Sequence, residues 1–140
     1  MTRFVIDASI AIKWVVEEQG TEAAIALRKR AELIAPDLLI AECANILWKK
    51  VQRDELSESE ALIAARLLQS ADVEILATRN LMETATRLAI GLRHPAYDCI
   101  YLALAIQSDC RFCTADSAFV RKISSAPVAE RVVALGDIGL

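Results

Sequence analysis

The sequence is poor in the residues that interrupt regular structure, with only four glycines and three prolines among its 140 residues. Such a composition favours helices and strands joined by short loops. No apolar run approaches the roughly 18 residues that a membrane-spanning helix needs. The start of the chain has one basic residue and then an apolar stretch that Asp7 interrupts, unlike a secretory signal. We therefore expect a cytoplasmic protein whose four cysteines are thiols.

The chain also lacks an excess of positive charge. It has 16 Lys and Arg against 19 Asp and Glu, for a net charge of −3. A protein that binds nucleic acid through a broadly basic surface would show the opposite balance. Hydrophobic residues make up 55% of the sequence, which is enough for a buried core, and no Pro/Gly/Ser-rich linker divides it. These features predict one domain over residues 1–140.

Short segments rich in β-branched residues alternate along the chain with helical patterns. Strands are predicted at 3–6, 73–76, 111–114 and 131–135, with a weaker candidate at 33–35. Helices are predicted between them, at 10–17, 21–32, 37–52, 57–70, 80–91, 96–108 and just after Asp116, with Ser9, Ser57 and Asn80 as expected N-caps. Such alternation predicts an α/β fold with a mainly parallel sheet covered by helices on both faces.

Four carboxylates interrupt otherwise apolar segments. Asp7 follows the strand FVI, Glu42 lies within LLIAEC, Asp98 precedes CIYLALAI, and Asp116 follows RFCT. Burying an unpaired charge is costly, so each carboxylate needs a partner or a function. For any one of them alone, a helix cap or an arginine partner is the alternative. Together they indicate a shared site, because Asp7 and Asp116 follow strands whose carboxyl ends form one edge of a parallel sheet.

Carboxylates gathered in one pocket cannot all stay ionised unaided. Two unit charges about 4 Å apart repel by about 4 kcal/mol at an effective dielectric constant near 20. Either the pKa values rise or a cation neutralises the cluster. Oxygen ligands select Mg²⁺ or Mn²⁺, and Mg²⁺ held by few carboxylates keeps water molecules that can attack a phosphate ester. The pattern therefore predicts metal-assisted hydrolysis.

Four segments together resemble the PIN-domain ribonucleases of the VapC toxin type. They are FVIDASIAIKW, APDLLIAECANILWK, HPAYDCIYLALA and CRFCTADSAF, and they cover nearly the whole chain in the order and at the spacing of that family. The resemblance implies a PIN-like fold, with a mainly parallel five-stranded sheet flanked by helices on both faces. It also implies a toxin of a toxin–antitoxin pair that cleaves RNA with Mg²⁺ or Mn²⁺.

The resemblance assigns roles to individual residues. Asp7 and Asp98 match the most direct metal ligands of the family, and Glu42 and Asp116 match the positions that complete its catalytic quartet. The polar shell that supports this quartet is matched by Ser9, Asn45 and Thr114. For Ser9 a simple helix cap is the alternative, and for Asn45 a structural hydrogen bond.

The resemblance also implies partners. VapC-type proteins form homodimers, and a cognate antitoxin covers their acidic groove with its C-terminal tail. An arginine from such a tail can take the place of the cation. The RNA substrate needs cations beside the groove. Candidates for that contact are Lys13, Lys49, Lys50, Arg53, Arg79, Arg93, Arg121 and Lys122, with Trp14, Trp48 and Tyr97 as possible base-stacking residues, although solvated charge and aromatic packing are the ordinary alternatives.

Two features are not assigned to the site. Cys110 and Cys113 are three residues apart on one predicted strand and would face opposite ways, so buried thiols are expected. His94, the only histidine, is expected in a loop. Two other functions stay open at this point: a catalytically silent PIN-like binding module and a phosphoacceptor receiver-type domain.

Overall fold

The computed structural model describes residues 1–139 and is built on a five-stranded sheet. The strands are β1 (Arg3–Ile6), β2 (Glu32–Pro36), β3 (Glu74–Leu76), β4 (Arg111–Thr114) and β5 (Val132–Ala134). Their order across the sheet is β3-β2-β1-β4-β5, and every neighbouring pair is parallel. This arrangement confirms the predicted α/β fold class.

In the described part of the chain, seven α-helices connect and cover the strands. They are α1 (Ala8–Ala11), α2 (Thr21–Arg30), α3 (Leu38–Gln52), α4 (Glu58–Gln69), α5 (Met82–Leu92), α6 (Ala96–Gln107) and α7 (Ser117–Lys122). Short 3₁₀ turns occupy Ile12–Trp14, Arg79–Leu81, Pro127–Arg131 and Leu135–Asp137. Within residues 1–139, no helix combines the length and the apolar character needed to cross a membrane.

The side chains of β1, β2, β4 and β5 alternate between two hydrophobic cores. In β1, Phe4 and Ile6 point into the core formed with α1 to α4, whereas Val5 points into the core formed with α5 to α7. Two buried faces explain why the strands are continuously apolar rather than alternating. Helix α6 is buried almost all round, with Tyr101 at 0% exposure stacked on Phe112. Asp98, near the start of α6, is therefore placed by a firmly packed element.

Local capping agrees with the sequence at some helices and differs at others. Ser57 caps α4 as predicted, in a capping box with Glu60, and Asp116 caps α7. Ser9 is not a cap, because α1 starts at Ala8 and Asp7 is its N-cap residue, in extended conformation. Asn80 is not the cap of α5 either, since it lies within a 3₁₀ turn that precedes the helix. The prediction of caps at Ser9 and Asn80 was wrong.

The strand order excludes the receiver-type alternative. Receiver domains and other flavodoxin-like folds order their strands 2-1-3-4-5. Here β1 is the central strand, with β2 and β3 on one side and β4 and β5 on the other. The order therefore reverses between β1 and β4. In open parallel sheets, ligands bind beyond the carboxyl ends of the strands at such a reversal.

Candidate metal centre

The carboxyl edge of the sheet at this reversal carries the first of the predicted site residues. Asp7 directly follows β1, and Thr114 is the last residue of β4. The two strands are paired with Ile6 opposite Cys113, so the residues that follow them emerge side by side. Asp7 and Thr114 therefore meet because of strand pairing, although 107 residues separate them in sequence.

Asp7 is buried at 7% exposure and is held by two hydroxyl groups. Ser9 donates through Oγ to Asp7 Oδ1 at 2.5 Å, and Thr114 donates through Oγ1 to Oδ2 at 2.7 Å. Each hydroxyl oxygen also accepts a backbone N–H, from Ala115 and Asp116 respectively. Those backbone contacts orient the hydroxyls, so their protons are directed at the carboxylate. Both oxygens of Asp7 thus have neutral donors in fixed positions.

The charge on Asp7 is poorly compensated. Its pKa is raised from 3.8 to about 6, mainly by burial and to a smaller extent by the charges of Asp98 and Glu42, against the opposing effect of the two hydroxyls. Burial also raises the pKa of Glu42, again with a contribution from Asp98. The three carboxylates are therefore close enough to repel one another, as the sequence predicted for a shared site.

Glu42 and Asp98 each have one side-chain hydrogen-bond partner, a tyrosine hydroxyl for Glu42 and a histidine ring for Asp98. The hydroxyl of Tyr101 donates to Glu42 Oε1, and burial followed by this hydrogen bond raises the pKa of Tyr101 above its ordinary value. Asp98 Oδ2 lies 2.6 Å from His94 Nε2. Among residues 1–139, no lysine or arginine forms an ion pair with Asp7, Glu42, Asp98 or Asp116. The structural alternative, an arginine for each carboxylate, is therefore not what the described chain contains.

The two remaining predicted residues lie at the margin of the cluster. Asp116 Oδ1 accepts the backbone N–H of Phe119 at 3.0 Å, so this side chain caps α7. Its backbone is tied to Thr114, but it is exposed and is not among the charges that raise the pKa of Asp7. Asn45 is exposed one turn after Glu42 on α3. Roles for Asp116 and Asn45 stay predictions.

The donors of this cluster fit a hard divalent cation held mainly by water. All are oxygen atoms, which Mg²⁺ and Mn²⁺ prefer, and their mutual repulsion is what a cation relieves. Within the described part of the chain, no three His, Cys, Asp or Glu side chains are arranged to ligate one ion together. Mg²⁺ ordinarily binds through one or two carboxylates and several waters, so Asp7 and Asp98 would suffice.

Several candidate RNA contacts have other partners. Glu18 forms ion pairs with Lys13 at 3.0 Å and Lys50 at 3.2 Å, so these cations stabilise the fold. Trp14 donates to the carbonyl of Ala24, which favours packing. Trp48 and Tyr97 are more than half exposed, and stacking on a base remains a prediction for both.

Sequence reasoning missed two residues beside the cluster, His94 and Tyr101. His94 does lie in a loop, but its ring is hydrogen-bonded to Asp98 four residues later. That spacing in HPAYD was a usable signal. Tyr101 gave none, because it lies in an apolar run and meets Glu42 across 59 residues of sequence.

Comparison with known proteins agrees with this geometry. The family model for the PIN domain matches residues 4–123. Ribonuclease VapC3 of Pyrobaculum aerophilum is 31% identical over an alignment of 126 residues that covers 86% of this chain and 94% of that protein. The fold and its acidic edge define a PIN domain, and the chain belongs to the PIN-domain family. Within it, the resemblance to the VapC type is confirmed.

Solved structures show the same fold at low identity. VapBC2 of Rickettsia felis, bound to a DNA fragment from its promoter, matches with a TM-score of 0.67 and 12% identity, covering 95% of this chain and 98% of that one. VapC20 of Mycobacterium tuberculosis, described as a toxin that cleaves the sarcin–ricin loop, matches with a TM-score of 0.61 and 13% identity, covering 80% and 87%.

Proposed function

We propose that this protein is a divalent-metal-dependent endoribonuclease that acts in the cytoplasm as the toxin of a toxin–antitoxin pair. The observation that carries the proposal is the state of Asp7. It is buried, it is held by two hydroxyls, and it is repelled by Asp98 and Glu42 without a lysine or arginine partner among residues 1–139. This arrangement costs stability, and it lies at the carboxyl edge of a parallel sheet, where ligands usually bind. Both properties are typical of a functional site.

The proposal also draws on the relatives. The curated relative is named a ribonuclease, and one structural neighbour is described as an RNA-cleaving toxin. A silent binding module of the same fold would keep the acidic cluster only to dock a basic partner. The names of these relatives favour the enzyme over that alternative.

The residues of the site would have two roles, since some would bind the ion and others would position the carboxylates that bind it. Asp7 and Asp98 would hold Mg²⁺ or Mn²⁺, while Glu42 and Asp116 complete the cluster. When bound, such an ion polarises a phosphate and activates water for in-line attack, which leaves a 5′-phosphate and a 3′-hydroxyl. Ser9 and Thr114 fix the carboxylate of Asp7, and Tyr101 fixes that of Glu42, so the site is preorganised.

Two partners accompany the proposal. The first is a cognate antitoxin whose C-terminal tail lays a basic side chain over the acidic cluster, which lacks a cation of its own. The second is another copy of the chain. Met82 and Ile90 on α5 are 68% and 74% exposed and lie eight residues apart, hence on one face of the helix. Such a face suits a homodimer, which sedimentation of the purified protein would test.

The proposal is tested by RNA cleavage with purified, antitoxin-free protein. We expect cleavage in Mg²⁺ or Mn²⁺, none in EDTA, and 5′-phosphates on the fragments. Asp98→Asn should abolish it. The matched control is Asp72→Asn, which removes one carboxylate from an exposed position near the amino end of β3. Cleavage that survives in EDTA or in Asp98→Asn would overturn the proposed mechanism, and wild type without cleavage would favour a binding module.

A further inference from the structure

A hydrogen-bonded chain of side chains from outside the acidic cluster ends at Asp98. His94 lies in the turn between α5 and α6, and its Nε2 is 2.6 Å from Asp98 Oδ2. Its other nitrogen, Nδ1, is 2.9 Å from Nζ of Lys122 at the end of α7. Lys122 also donates to the carbonyl of Arg93 at 2.9 Å, which anchors it to the same turn. This hydrogen-bonded chain, from Lys122 through His94 to Asp98, thus joins α7, the turn and α6.

The imidazole in this chain is firmly placed. Its side chain is only 14% exposed, and its ring packs against Phe119 with centroids 4.6 Å apart. Phe119 is buried at 2% exposure, so this contact belongs to the core beneath the turn. Packing on one side and hydrogen bonds at both nitrogens leave the ring one orientation.

The chemistry of the three groups fixes which nitrogen of His94 carries the proton. A lysine ammonium has three donors and no acceptor, so a contact with Lys122 requires Nδ1 to accept. A neutral imidazole that accepts at Nδ1 carries its proton at Nε2, and that proton then points at Asp98 Oδ2. Among residues 1–139, no hydrogen bond reaches the other oxygen of Asp98, Oδ1. The hydrogen bond with His94 therefore occupies Oδ2 of Asp98 and leaves Oδ1 available to bind a ligand.

We infer that His94, held by Lys122, is a positioning residue that orients Asp98 and leaves Oδ1 as the oxygen that would bind a metal ion. The inference rests on the proposed function, in which Asp98 is a ligand. It gives the histidine a role in setting the geometry of a carboxylate rather than in proton transfer. Partners of this kind typically change metal affinity by about 10- to 100-fold when they are removed.

The tautomer is tested first, by nitrogen-detected NMR of the imidazole in tag-free protein. Because His94 is the only histidine in the chain, its signals need no assignment. At about pH 8, where an ordinary imidazole is neutral, we expect the proton on Nε2. Replacing Lys122 by Met removes one of the two contacts that set the tautomer, so we expect the preference for Nε2 to weaken, whereas Arg121→Met, which deletes the neighbouring charge on the same helix, should leave it unchanged. A proton on Nδ1 in wild type would overturn the inference.

Metal affinity is tested second, by Mn²⁺ titration followed by electron paramagnetic resonance. A glutamine amide nitrogen reaches about as far as Nε2, whereas that of asparagine reaches only as far as Nδ1. We therefore expect His94→Asn to bind Mn²⁺ about 10- to 100-fold more weakly and His94→Gln to recover most of the loss. Metal-free melting temperatures of the two variants should agree, which separates positioning from folding.

The outcomes distinguish the inference from the proposal beneath it. Normal Mn²⁺ binding by wild type, together with unchanged binding by His94→Asn, would overturn the inference alone. Equal losses in His94→Asn and His94→Gln would also overturn it, since the donor to Asp98 would then be irrelevant. Wild type that binds no Mn²⁺ would overturn the proposed function and, with it, the role given to His94.

Discussion

The two edges of the sheet treat their charges in opposite ways. At the amino edge, Arg3 pairs with Glu32 at 3.1 Å and Arg131 pairs with Asp109 at 2.8 Å, with side chains from 33% to 88% exposed. At the carboxyl edge, Asp7 is buried, and its charge is met only by hydroxyls and by two more carboxylates. The same sheet therefore neutralises acidic groups at one end and leaves them uncompensated at the other.

The difference teaches where the chain gives up stability. Exposed ion pairs are nearly neutral in free energy, so the amino edge is electrostatically unremarkable. A buried carboxylate whose pKa is raised lowers the free energy of unfolding at neutral pH. Such a cost is expected where the charge has a function, which is why we propose the carboxyl edge as the site.

The largest effect should separate the two edges in activity. Asp7→Asn keeps the shape of the side chain and removes its charge, so we expect RNA cleavage to fall about 100-fold or more. Asp109→Asn, the same change at the amino edge, should leave cleavage unchanged. Initial rates on one labelled RNA at fixed Mg²⁺ measure both. Equal losses would show that general acidity, and not this edge, supports cleavage.

Stability should respond in the opposite sense. In EDTA at neutral pH, Asp7→Asn removes the cost of a buried charge and should raise the free energy of unfolding by as much as about 3 kcal/mol. Asp109→Asn should lower it by at most about 1 kcal/mol. Urea denaturation followed by circular dichroism measures both. A loss of several kcal/mol in Asp7→Asn would identify Asp7 as a structural partner instead.

The pH dependence follows from the same carboxylate. The pKa of Asp7 is about 6 in the folded protein against 3.8 ordinarily, so the folded state holds this proton more tightly. The contribution of Asp7 to stability is therefore present below about pH 4 and is lost as the pH rises through about 6. Metal-free wild type should lose stability across this window relative to Asp7→Asn. Parallel pH profiles of the two proteins would contradict the assignment.

Divalent ions should reverse that loss. At about 100 times its dissociation constant, Mg²⁺ or Mn²⁺ should stabilise wild type by about 2.7 kcal/mol. We expect a higher melting temperature for wild type and for Asp109→Asn, and no shift for Asp7→Asn or Asp98→Asn. A shift that persists in both latter variants would place the ion elsewhere.

A more local effect should come from a hydroxyl that holds Asp7. Thr114→Val deletes the donor to Oδ2 and also the acceptor for the backbone of Asp116, at a cost of about 1–3 kcal/mol in metal-free protein. Because that hydroxyl lowers the pKa of Asp7, its loss should move the pH transition upward. An unchanged transition would show that Thr114 does not hold the carboxylate.

The sequence predicted the strands well because most of them are short, buried apolar runs. Arg3–Ile6 and Arg111–Thr114 match the prediction, and the fold class followed from alternation with helices. The predicted start of α1 was wrong because serine is a common N-cap residue, whereas the hydroxyl of Ser9 donates to Asp7 instead of capping the helix. A side chain with two possible partners cannot be assigned from local sequence.

The residues of the candidate site were predictable from the sequence, but the hydrogen bonds between them were not. Asp7, Glu42 and Asp98 stood out as charges in apolar segments, and the structure brings them into mutual repulsion. The contacts of Tyr101 with Glu42 and of Lys122 with His94 join residues far apart in sequence. Such pairs follow from strand order and helix packing, which the sequence does not display.

The most direct test of an uncompensated carboxyl edge is a crystal of the protein grown with Mn²⁺ and measured at the manganese absorption edge. The account predicts an anomalous peak beside the carboxylates of Asp7 and Asp98, with waters completing its coordination, and none in Asp7→Asn. A peak at the amino edge, or no peak at Asp7 in a crystal of active enzyme, would contradict it.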